Sequence, residues 1–583
     1  MKKIEKDDVI NLLKQIVKIL EIKGENVFKV RAYENAVRIF ENYEGDLISA
    51  IKDKSISKIK GIGEAITSKL YEFVTTGKLE YYEKIRKDVP QGLLELLNIQ
   101  GLGGKRIKIL REKLDIKNIE DLSLAIEKGE VAKLTGFGPA LQESIKKSLE
   151  IYKGYKRHYL FAEAEHVANQ LIDNLRSRFP ESEFMVCGSI RRKKEIVKDI
   201  DILSEECNGN GKEVMDYFCG MEGVVKVIAQ GKTKSSIVSD KGINVDIRVI
   251  VKDEFPSAIN YFTGSKEHNI RLRQIAKEKG YKLNEYGLWK NENRIKLRDE
   301  KELYKYLGMK YIEPEMREDM GEIELAISEK LPELVGISDV KGVVHVHTNY
   351  SDGKNSIEEN IRFAKEKGYE YIVISDHSKA AYYANGVDEE RIRKQWKEID
   401  ELNRMVKGIK IYKGIECDIM QDGSPDIDVS VLKDMDVVIG AIHSNLGMSE
   451  EAATKRMLSA INTGMFDIIA HPTGRLLQRR EGYKLDHEKF RQTVTERGIV
   501  IEINSQPERL DYDWREVIKG KREGCKFVIS VDAHAVNQID YLRYGVGIAR
   551  KGWLERNDVI NCMSVNEFDK LIRKFKERRN NGR

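Results

Sequence analysis

The sequence predicts a multidomain protein with an all-α N-terminal region, a middle α+β region and a C-terminal α/β barrel. In the first 155 residues, helical spacing of apolar residues is interrupted by short glycine-containing turns. Near residue 200, acidic and apolar residues alternate as they do on a half-buried strand. From residue 341 the chain repeats strand, loop and helix, and the strands end in polar residues. The predicted domains are 1–85, 86–155, 156–255, 256–315, 316–340 and 341–583.

The composition is that of a globular chain with several domains. The 583 residues are 41% hydrophobic, and no apolar run is long enough to span a bilayer. The N-terminus turns acidic before any apolar stretch, which argues against a secretory signal. The six cysteines are scattered without paired spacing, as in reduced cytosolic proteins. We therefore expect a cytoplasmic monomer that makes no membrane contact.

Charge is distributed unevenly along the chain. The net charge is +5, with +10 on residues 1–310 and −5 on residues 311–583. A basic first part suits a polyanionic partner, and a more acidic second part suits a metal-rich site. Ordinary fluctuation in a chain with 34% charged residues could give the same asymmetry, so it only supports other observations.

Three apolar-x-Gly-apolar-Gly patterns each precede a helical stretch with lysine or arginine nearby, and each resembles a helix-hairpin-helix. Glycine lets the backbone approach a phosphate, and the following helix begins with free N–H groups. Such a hairpin grips the DNA backbone without reading bases. A single Gly-x-Gly is more often a plain turn, but three favour DNA binding. The predicted DNA contacts in these patterns are Gly61, Gly63, Gly101, Gly103, Lys105, Gly136 and Gly138.

A stretch near residue 190 combines an anion cradle with two carboxylates. A helix beginning at Gly188 and Ser189 would offer backbone N–H groups to an anion, and two arginines follow. Asp199 and Asp201 share one face of a strand, where they repel each other without a cation. This favours a divalent ion with oxygen ligands, Mg²⁺ or Mn²⁺. A lone Asp-x-Asp is usually a solvated strand, but the Gly-Ser at this offset favours nucleotidyl transfer.

A third carboxylate, Asp246, is predicted on a neighbouring strand, opposite the apolar Val245 and Ile247. The Gly-Ser, Asp-x-Asp and Asp pattern resembles the nucleotidyltransferase palm. The sequence Tyr-Phe-Thr-Gly-Ser from Tyr261, followed by Asn269, resembles the nucleotide pocket of family X DNA polymerases, the relatives of polymerase β. This resemblance implies a palm followed by a thumb.

The resemblance also implies roles for individual residues. Asp199 and Asp201 would ligate both metal ions, and Asp246 would ligate the catalytic one. A departure is Asn244, where polymerase β carries an arginine thought to help activate the primer hydroxyl. For Phe262, core packing is an equally simple interpretation. The implied nucleotide contacts are Gly188, Ser189, Arg192, Tyr261, Phe262, Gly264, Asn269 and Arg273.

The N-terminal domain of the same family is a lyase. Its lysine nucleophile, which forms a Schiff base with an abasic sugar, corresponds to Lys69, and Lys29 and Tyr33 match residues near the 5′-phosphate of a gap. A second lysine of the family hairpin corresponds to Ala65 here. Lys69 is therefore either the nucleophile or a solvated helix lysine.

Residues 311–340 are charged and short of large apolar residues. This composition predicts a linker with a small helix rather than part of a core.

Histidines and carboxylates recur at the predicted strand ends of the last region. A single histidine there is usually structural, but six of the ten histidines, with three carboxylates, predict a metal site. Imidazole and carboxylate ligands suit Zn²⁺, Mn²⁺ or Fe²⁺, and nine candidates suggest two or three ions. The candidates are His345, His347, Asp352, His377, Glu416, His443, His471, Asp532 and His534.

This last region resembles the PHP domain, a distorted (β/α)7 barrel with a trinuclear site that hydrolyses phosphate esters. All nine of its usual ligand positions are present. A family X polymerase fused to a PHP domain is the bacterial and archaeal PolX type, and the resemblance covers essentially the whole chain. It implies gap filling with dNTPs in base excision repair and a 3′-to-5′ exonuclease or related 3′-end processing. It leaves lyase and abasic-site endonuclease activities open.

Two other functions are compatible with parts of the sequence. A small-molecule phosphatase is one, because the PHP fold also hosts such enzymes, although the DNA-gripping first half argues against it. A non-catalytic DNA-binding scaffold is the other, although the complete carboxylate and ligand sets argue against a decayed site.

Overall fold

The computed structural model describes residues 6–41, 43, 47–59, 61–99, 102–155, 158–478 and 482–581. The chain divides into two compact units, Met1–Arg157 and His158–Arg583. Among the described residues, no helix combines the length and apolarity needed to cross a bilayer.

The first unit is helical in its described part. Apolar residues at helical spacing, such as Val9, Leu13 and Ile16, are at most 1% exposed, so one face of each helix forms the core. Its helices are α1 (Lys6–Lys23), α2 (Val27–Glu41), α3 (Leu47–Lys52), α4 (Glu64–Thr76), α5 (Glu80–Lys87), α6 (Gln91–Glu95), α7 (Gly104–Leu114), α8 (Ile119–Glu127) and α9 (Gly138–Tyr155).

The glycine patterns lie where they were predicted, immediately before helices. Gly63 precedes α4, Gly103 precedes α7, and α9 begins at Gly138. Gly61 and Gly136 have φ angles of +101° and +85°, which residues with a β-carbon rarely adopt. These turns therefore require glycine for their backbone conformation.

The first part of the second unit is a mixed sheet with helices. Five strands lie in the order β2-β4-β7-β6-β5, and only the β4–β7 pair is parallel. The strands of this part of the chain, which also include a two-stranded and a three-stranded sheet, are β1 (Tyr159–Leu160), β2 (Phe184–Val186), β3 (Ile196–Val197), β4 (Asp199–Glu206), β5 (Val224–Gln230), β6 (Lys234–Ser239), β7 (Asn244–Val251), β8 (Tyr281–Asn284), β9 (Gly287–Lys290) and β10 (Asn293–Ile295). Its helices are α10 (Phe161–Arg178), α11 (Gly188–Arg191), α12 (Gly211–Cys219), α13 (Phe255–Thr263), α14 (Lys266–Glu278) and α15 (Glu300–Tyr306).

The rest of the unit is a seven-stranded parallel sheet whose strands follow chain order from β11 to β17. A parallel bridge between Val346 and Ala533 joins the first strand to the chain after the last, so the barrel is nearly closed. This confirms the predicted (β/α)7 architecture. Its strands are β11 (Gly342–Val346), β12 (Tyr371–Ile374), β13 (Lys410–Asp418), β14 (Val437–Ala441), β15 (Ile468–Ile469), β16 (Val500–Asn504) and β17 (Lys526–Ser530). The helices after α15 are α16 (Glu322–Ile327), which precedes the first barrel strand, α17 (Ile357–Glu366), α18 (Glu389–Met405), α19 (Val429–Asp434), α20 (Glu450–Asn462), α21 (His487–Arg497), α22 (Trp514–Arg522), α23 (Leu542–Lys551) and α24 (Val565–Asn581).

The segment 311–340 packs into the core, so the expectation that it lies outside a core was wrong. The predicted small helix is present as α16, but Met316 and Val335 are at most 2% exposed. Arg317 is fully buried and pairs with Glu300. The composition of this segment was misleading because the segment buries charged side chains in pairs, which a count of apolar residues does not detect.

Candidate active sites

The first candidate site, called here the carboxylate site, contains Asp199, Asp201 and Asp246 on the parallel strands β4 and β7. Asp201 lies opposite Asp246 in the register of the two strands. Ile200 and Ile202 on the other face of β4 are at most 1% exposed. Alternation along the strand therefore places the three carboxylates on one face, as predicted.

The electrostatics of these carboxylates fit divalent ions. Burial, with the charges of Asp199 and Asp246, raises the pKa of Asp201 to about 6. Burial and Asp246 also raise the pKa of Asp199. The Nζ of Lys234 lies 2.6 Å from Oδ2 of Asp246. Because close carboxylates disfavour one another's ionisation, a cation among them would stabilise the charged set.

A cavity of about 750 Å³ adjoins Asp199 and Asp201. Its volume falls within the range of about 300–1,000 Å³ that is typical of small-ligand pockets. All of the predicted nucleotide contacts line it, which brings together residues from α11, α13, the turn after α13, and α14. These lining residues are Gly188, Ser189, Arg192, Tyr261, Phe262, Gly264, Asn269 and Arg273.

Two close contacts shape this cavity. Gly188 has a φ of +60°, and a β-carbon there would lie 2.5 Å from Oδ2 of Asp201, so α11 can begin against the carboxylate only with glycine. The Nε of Arg192 donates to Oε1 of Glu318 at 3.0 Å, and its Nη1 donates to the carbonyl of Thr263. Sequence reasoning missed Glu318, which is remote in the chain and lay in the presumed linker.

The position of Phe262 fits both interpretations that the sequence left open, a contact in the nucleotide pocket and core packing. Its ring lines the cavity and also packs against the buried cluster that contains Cys187 and Leu203. The guanidinium of Arg248 lies 4.7 Å from the ring centroid. The ring is therefore both a wall of the cavity and part of a small core.

In the first unit, the structure brings together Lys69, Lys29 and Tyr33. The Nζ of Lys69 donates to the Tyr33 hydroxyl at 3.0 Å and lies 4.1 Å from the ring centroid of Tyr81, a residue that sequence reasoning missed. Burial and the charge of Lys29 lower the pKa of Lys69. A lowered pKa increases the fraction of free amine, which is the nucleophilic form.

The predicted hairpin contacts are open to an approaching backbone. A β-carbon added at Gly63, Gly103, Gly136 or Gly138 would meet no heavy atom within 4 Å. Lys105 lies in the first turn of α7, directly after the second turn. Gly101 lies outside the described residues, and a β-carbon added at Gly61 would lie 2.4 Å from Nδ2 of Asn35, so this glycine does not face open space.

The second candidate site, called here the histidine site, gathers all nine predicted ligands at the carboxyl ends of the barrel strands. Three groups have ligand atoms within 4.8 Å of one another. The ninth residue, His471, joins them through its Nε2, which lies 3.0 Å from Oε1 of Glu416. The three groups are His347, Asp352, His377 and His534; His345, His347 and Asp532; and His377, Glu416 and His443.

Buried polar atoms of this site lack hydrogen bonds in a way that fits metal ions. Nε2 of His345, Nδ1 of His347, Nδ1 of His377 and Oε2 of Glu416 are buried without a hydrogen-bond partner in the described structure. The His377 and Glu416 atoms lie only 2.7 Å apart, yet their geometry is not that of a hydrogen bond. Buried polar atoms are normally satisfied, so ligand atoms that converge unpaired fit coordination to ions.

The charges of the site keep its carboxylates ionised. Burial opposes ionisation, but the neighbouring histidines hold the pKa values of Glu416 and Asp532 well below their ordinary value. Burial and the nearby His377 and His534 lower the pKa of His347 to about 3, so its ring is neutral at physiological pH. Burial opposes protonation of the other rings, but the neighbouring carboxylates raise the pKa of His345 well above its ordinary value and those of His443 and His534 to about 10 and about 9. Metals bind ionised carboxylates and neutral imidazoles, so binding of ions would displace the protons of these three rings.

The backbone at three of these ligands is in the left-handed region. His345, His471 and Asp532 have φ angles of +69°, +27° and +46°. Residues with a β-carbon pay a conformational cost in this region, and such strain clusters at functional sites. The surrounding barrel holds these three side chains toward the centre of the site.

Two further carboxylates, which sequence reasoning missed, orient the histidines. Nδ1 of His345 lies 2.5 Å from Oε1 of Glu502, and Nδ1 of His443 lies 3.2 Å from Oδ1 of Asp418. Such contacts fix the ring orientation of ligating histidines. Glu502 carried a signal, since it is an acidic residue inside the fully buried strand β16.

Family models match four parts of the chain. A helix-hairpin-helix domain matches residues 4–79, and a SAM-like helix-hairpin-helix tandem matches residues 93–150. A DNA polymerase beta thumb matches residues 258–318, and a PHP domain matches residues 344–506. These matches confirm the predicted helix-hairpin-helix region, thumb and PHP barrel.

Known proteins resemble the whole chain or one of its parts. A Bacillus subtilis (strain 168) protein named "DNA polymerase/3'-5' exonuclease PolX" is 36% identical over 573 residues, which cover 98% of this chain and 99% of that protein. The "Repair DNA polymerase X" of African swine fever virus (isolate Pig/Kenya/KEN-50/1950) is 34% identical over 142 residues, 23% of this chain and 80% of the viral protein. A Thermoanaerobacter sp. (strain X514) protein named as a probable phosphatase is 26% identical over 235 residues, 37% of this chain and 88% of that protein.

Proposed function

The chain belongs to the PolX family, in which a family X DNA polymerase is joined to a PHP domain, and we propose that it is a repair polymerase with its own 3′-to-5′ exonuclease. It would fill short gaps in DNA with dNTPs. One observation carries this proposal: two sets of side chains that could ligate metal ions, one beside a cavity of about 750 Å³ and one in a barrel, lie in one compact unit.

In the carboxylate site, we propose that Asp199 and Asp201 hold two Mg²⁺ or Mn²⁺ ions and that Asp246 holds the catalytic one. Bound there, such ions would supply activation of the primer 3′-hydroxyl and charge stabilisation for the departing pyrophosphate. Ser189 and Arg192 would bind the triphosphate, because both line the cavity beside the carboxylates.

The rest of the cavity would position the sugar and the bases. Tyr261, Phe262 and Gly264 would flank the sugar and base of the nucleotide. Asn269 and Arg273 would face the nascent base pair and the template. The Asn269 amide donates to the carbonyl of Tyr261 at 2.7 Å, so these two elements of the cavity are held together.

In the histidine site, the nine ligands would hold two or three Mn²⁺, Zn²⁺ or Fe²⁺ ions. Bound there, these ions would supply polarisation of a phosphodiester and charge stabilisation for its leaving oxygen. Glu416 is the best candidate for a bridging ligand, because its carboxylate lies within 3.6 Å of five histidine rings. Those rings belong to His345, His347, His377, His443 and His471.

The first unit would bind gapped or primer-template DNA through its hairpin turns. Lys69 would be the nucleophile of a 5′-deoxyribose-phosphate lyase, since its amine has a lowered pKa and adjoins the hydroxyl of Tyr33. Lys29 would contact the 5′-phosphate. We further propose that the enzyme works as a cytoplasmic monomer. Abasic-site lyase or endonuclease activity is an additional prediction.

A specific observation favours a second function for the barrel alone. Its resemblance to the Thermoanaerobacter protein named as a probable phosphatase supports hydrolysis of a small phosphomonoester. The helix-hairpin-helix matches favour DNA as the substrate instead.

Incubation of the protein with a labelled gapped primer-template, with and without dNTPs, in Mg²⁺ and then Mn²⁺, tests the proposal. We expect extension by one or a few nucleotides with dNTPs and shortening of the 3′ end without them. A phosphomonoester metabolite, supplied in parallel, is the control substrate. Turnover of the metabolite with an intact DNA end would favour the phosphatase, and no turnover of either would favour a scaffold.

A further inference from the structure

A buried lysine of the barrel reaches the carboxylate site. Lys551, the last residue of α23, is 0% exposed. Its Nζ lies 2.6 Å from Oε1 of Glu318 and donates to the carbonyl of Arg192 at 3.0 Å. The ammonium also lies 4.6 Å from the ring centroid of Trp514. A barrel side chain thus contacts the backbone of a predicted triphosphate-binding residue.

Glu318 connects the two cations. One of its oxygens, Oε1, accepts from both Lys551 and Nε of Arg192, the latter at 3.0 Å. The other, Oε2, lies 3.5 Å from Nζ of Lys194. The side chains of Glu318 and Arg192 are only 8% and 11% exposed, so solvent screens the contact between these two residues little. The orientation of the Arg192 guanidinium therefore depends on where Glu318 is held.

The charges support this dependence. Burial would raise the pKa of Glu318, but the charges of Lys551 and Arg192 lower it overall. Burial lowers the pKa of Lys551 to about 8, which leaves the ammonium mostly protonated at neutral pH. Without Lys551, the Glu318 carboxylate would lose the contact that fixes its place, and it would no longer hold the Arg192 guanidinium in a defined orientation toward a nucleotide phosphate.

We propose that Lys551 is a positioning residue for nucleotide binding, through which the barrel holds Glu318 and thereby aims Arg192 at the triphosphate. The inference rests on the proposed function of the carboxylate site. It assigns to the barrel a part in polymerisation that is separate from its own metal ligands.

Single-nucleotide gap filling by the full chain tests this role. We expect Lys551→Met to raise KM for the dNTP about tenfold, as loss of a charge-assisted contact to the phosphate would, with kcat within about twofold of the parent. Glu318→Gln should raise KM similarly, and the double variant should be no worse than either single variant, because both changes break one link. Shortening of a 3′ end in Mn²⁺ without dNTPs should be unchanged by Lys551→Met.

The neighbouring Arg550 provides the matched control. Like Lys551, it lies on α23 and pairs with a glutamate of the segment 311–340, with its Nε 2.8 Å from Oε1 of Glu315. Arg550→Met should leave KM unchanged. Melting temperatures would identify a variant that does not fold, and Glu318→Gln then carries the test alone.

Three results would overturn the inference. An unchanged KM in a folded Lys551→Met or Glu318→Gln would show that the link does not position Arg192. Equal KM increases in Lys551→Met and Arg550→Met would show that the effect comes from a general loss of contact between α23 and the segment 311–340. A parent protein that does not extend the gapped primer at all would refute the proposed function, and this inference with it.

Discussion

Replacement of Arg317 by methionine should destabilise the second unit strongly. Arg317 is fully buried, and its Nη1 lies 2.5 Å from Oε1 of Glu300. Its Nε donates to the carbonyl of Ile312 at 2.9 Å. Glu300 also pairs with Arg191 of α11, at 2.8 Å. Arg317 and Glu300 therefore connect the segment 311–340, which was expected to be a linker, with the thumb. Through Arg191, Glu300 also connects this segment with α11, which lines the cavity of the carboxylate site.

The magnitude follows from the Glu300 carboxylate. Burial would raise its pKa, but Arg317 and Arg191 lower it overall from 4.5 to about 2. That shift corresponds to about 3 kcal/mol of stability, and removal of one partner of a buried ion pair typically costs about 3–5 kcal/mol. We therefore expect Arg317→Met to lower the free energy of unfolding of this unit by about 3–5 kcal/mol.

Urea unfolding monitored by tryptophan fluorescence measures this change. All 4 tryptophans of the chain lie in the second unit, so their signal reports on it. Because the pKa of Glu300 is depressed by folding, its contribution is present above pH 4.5 and is lost as the pH falls toward about 2. The difference between parent and variant should narrow over that range.

Arg298→Met is the matched control, because this arginine pairs with Glu302 at the surface and its side chain is 83% exposed. It should leave the unfolding midpoint unchanged. A loss below about 1 kcal/mol for Arg317→Met, comparable to that of a surface pair, would refute the view that the segment is held by its buried charges.

Two predictions concern individual site residues. Borohydride should trap a covalent adduct between the parent and an abasic 5′-sugar end, and Lys69→Ala should lose it; an undiminished adduct would assign the chemistry to another amine. Gly188→Ala should reduce nucleotide addition about 100-fold, because its β-carbon would displace the Asp201 carboxylate that lies 2.5 Å away. Gly209→Ala, at a similar φ of +76° but in open space, is its control, and equal losses in both variants would mean that backbone strain alone is responsible.

The residues proposed to carry the chemistry could be selected from the sequence because they interrupt regular patterns. Asp201 stands out on a strand whose alternate residues are isoleucine, and His443 follows an unbroken apolar strand. Strand periodicity then fixes the face or the end on which such residues meet. The candidate metal ligands and the residues that line the cavity beside Asp199 and Asp201 were therefore proposed from local patterns and from the family resemblance, and the structure brings each set together.

Residues that support the sites could not be found in this way. Glu318 contacts Lys551, which lies 233 positions away. Glu502 interrupts an apolar strand and so could be noticed, but its partner His345 lies 157 positions away and could not be inferred. A buried charge looks the same in sequence as a solvated one, because its partner is supplied by tertiary structure. For the same reason, the charged segment 311–340 was mistaken for a linker.

The central claim is that one chain holds two separate active sites, and one measurement tests it directly. The parent, Asp201→Ala and the double variant His345→Ala with His347→Ala are each given a labelled gapped primer in Mn²⁺, with and without dNTPs. We predict that Asp201→Ala loses extension and retains 3′ shortening, whereas the double variant loses shortening and retains extension. Full extension by Asp201→Ala, or undiminished shortening by the double variant free of contaminating nuclease, would contradict the claim.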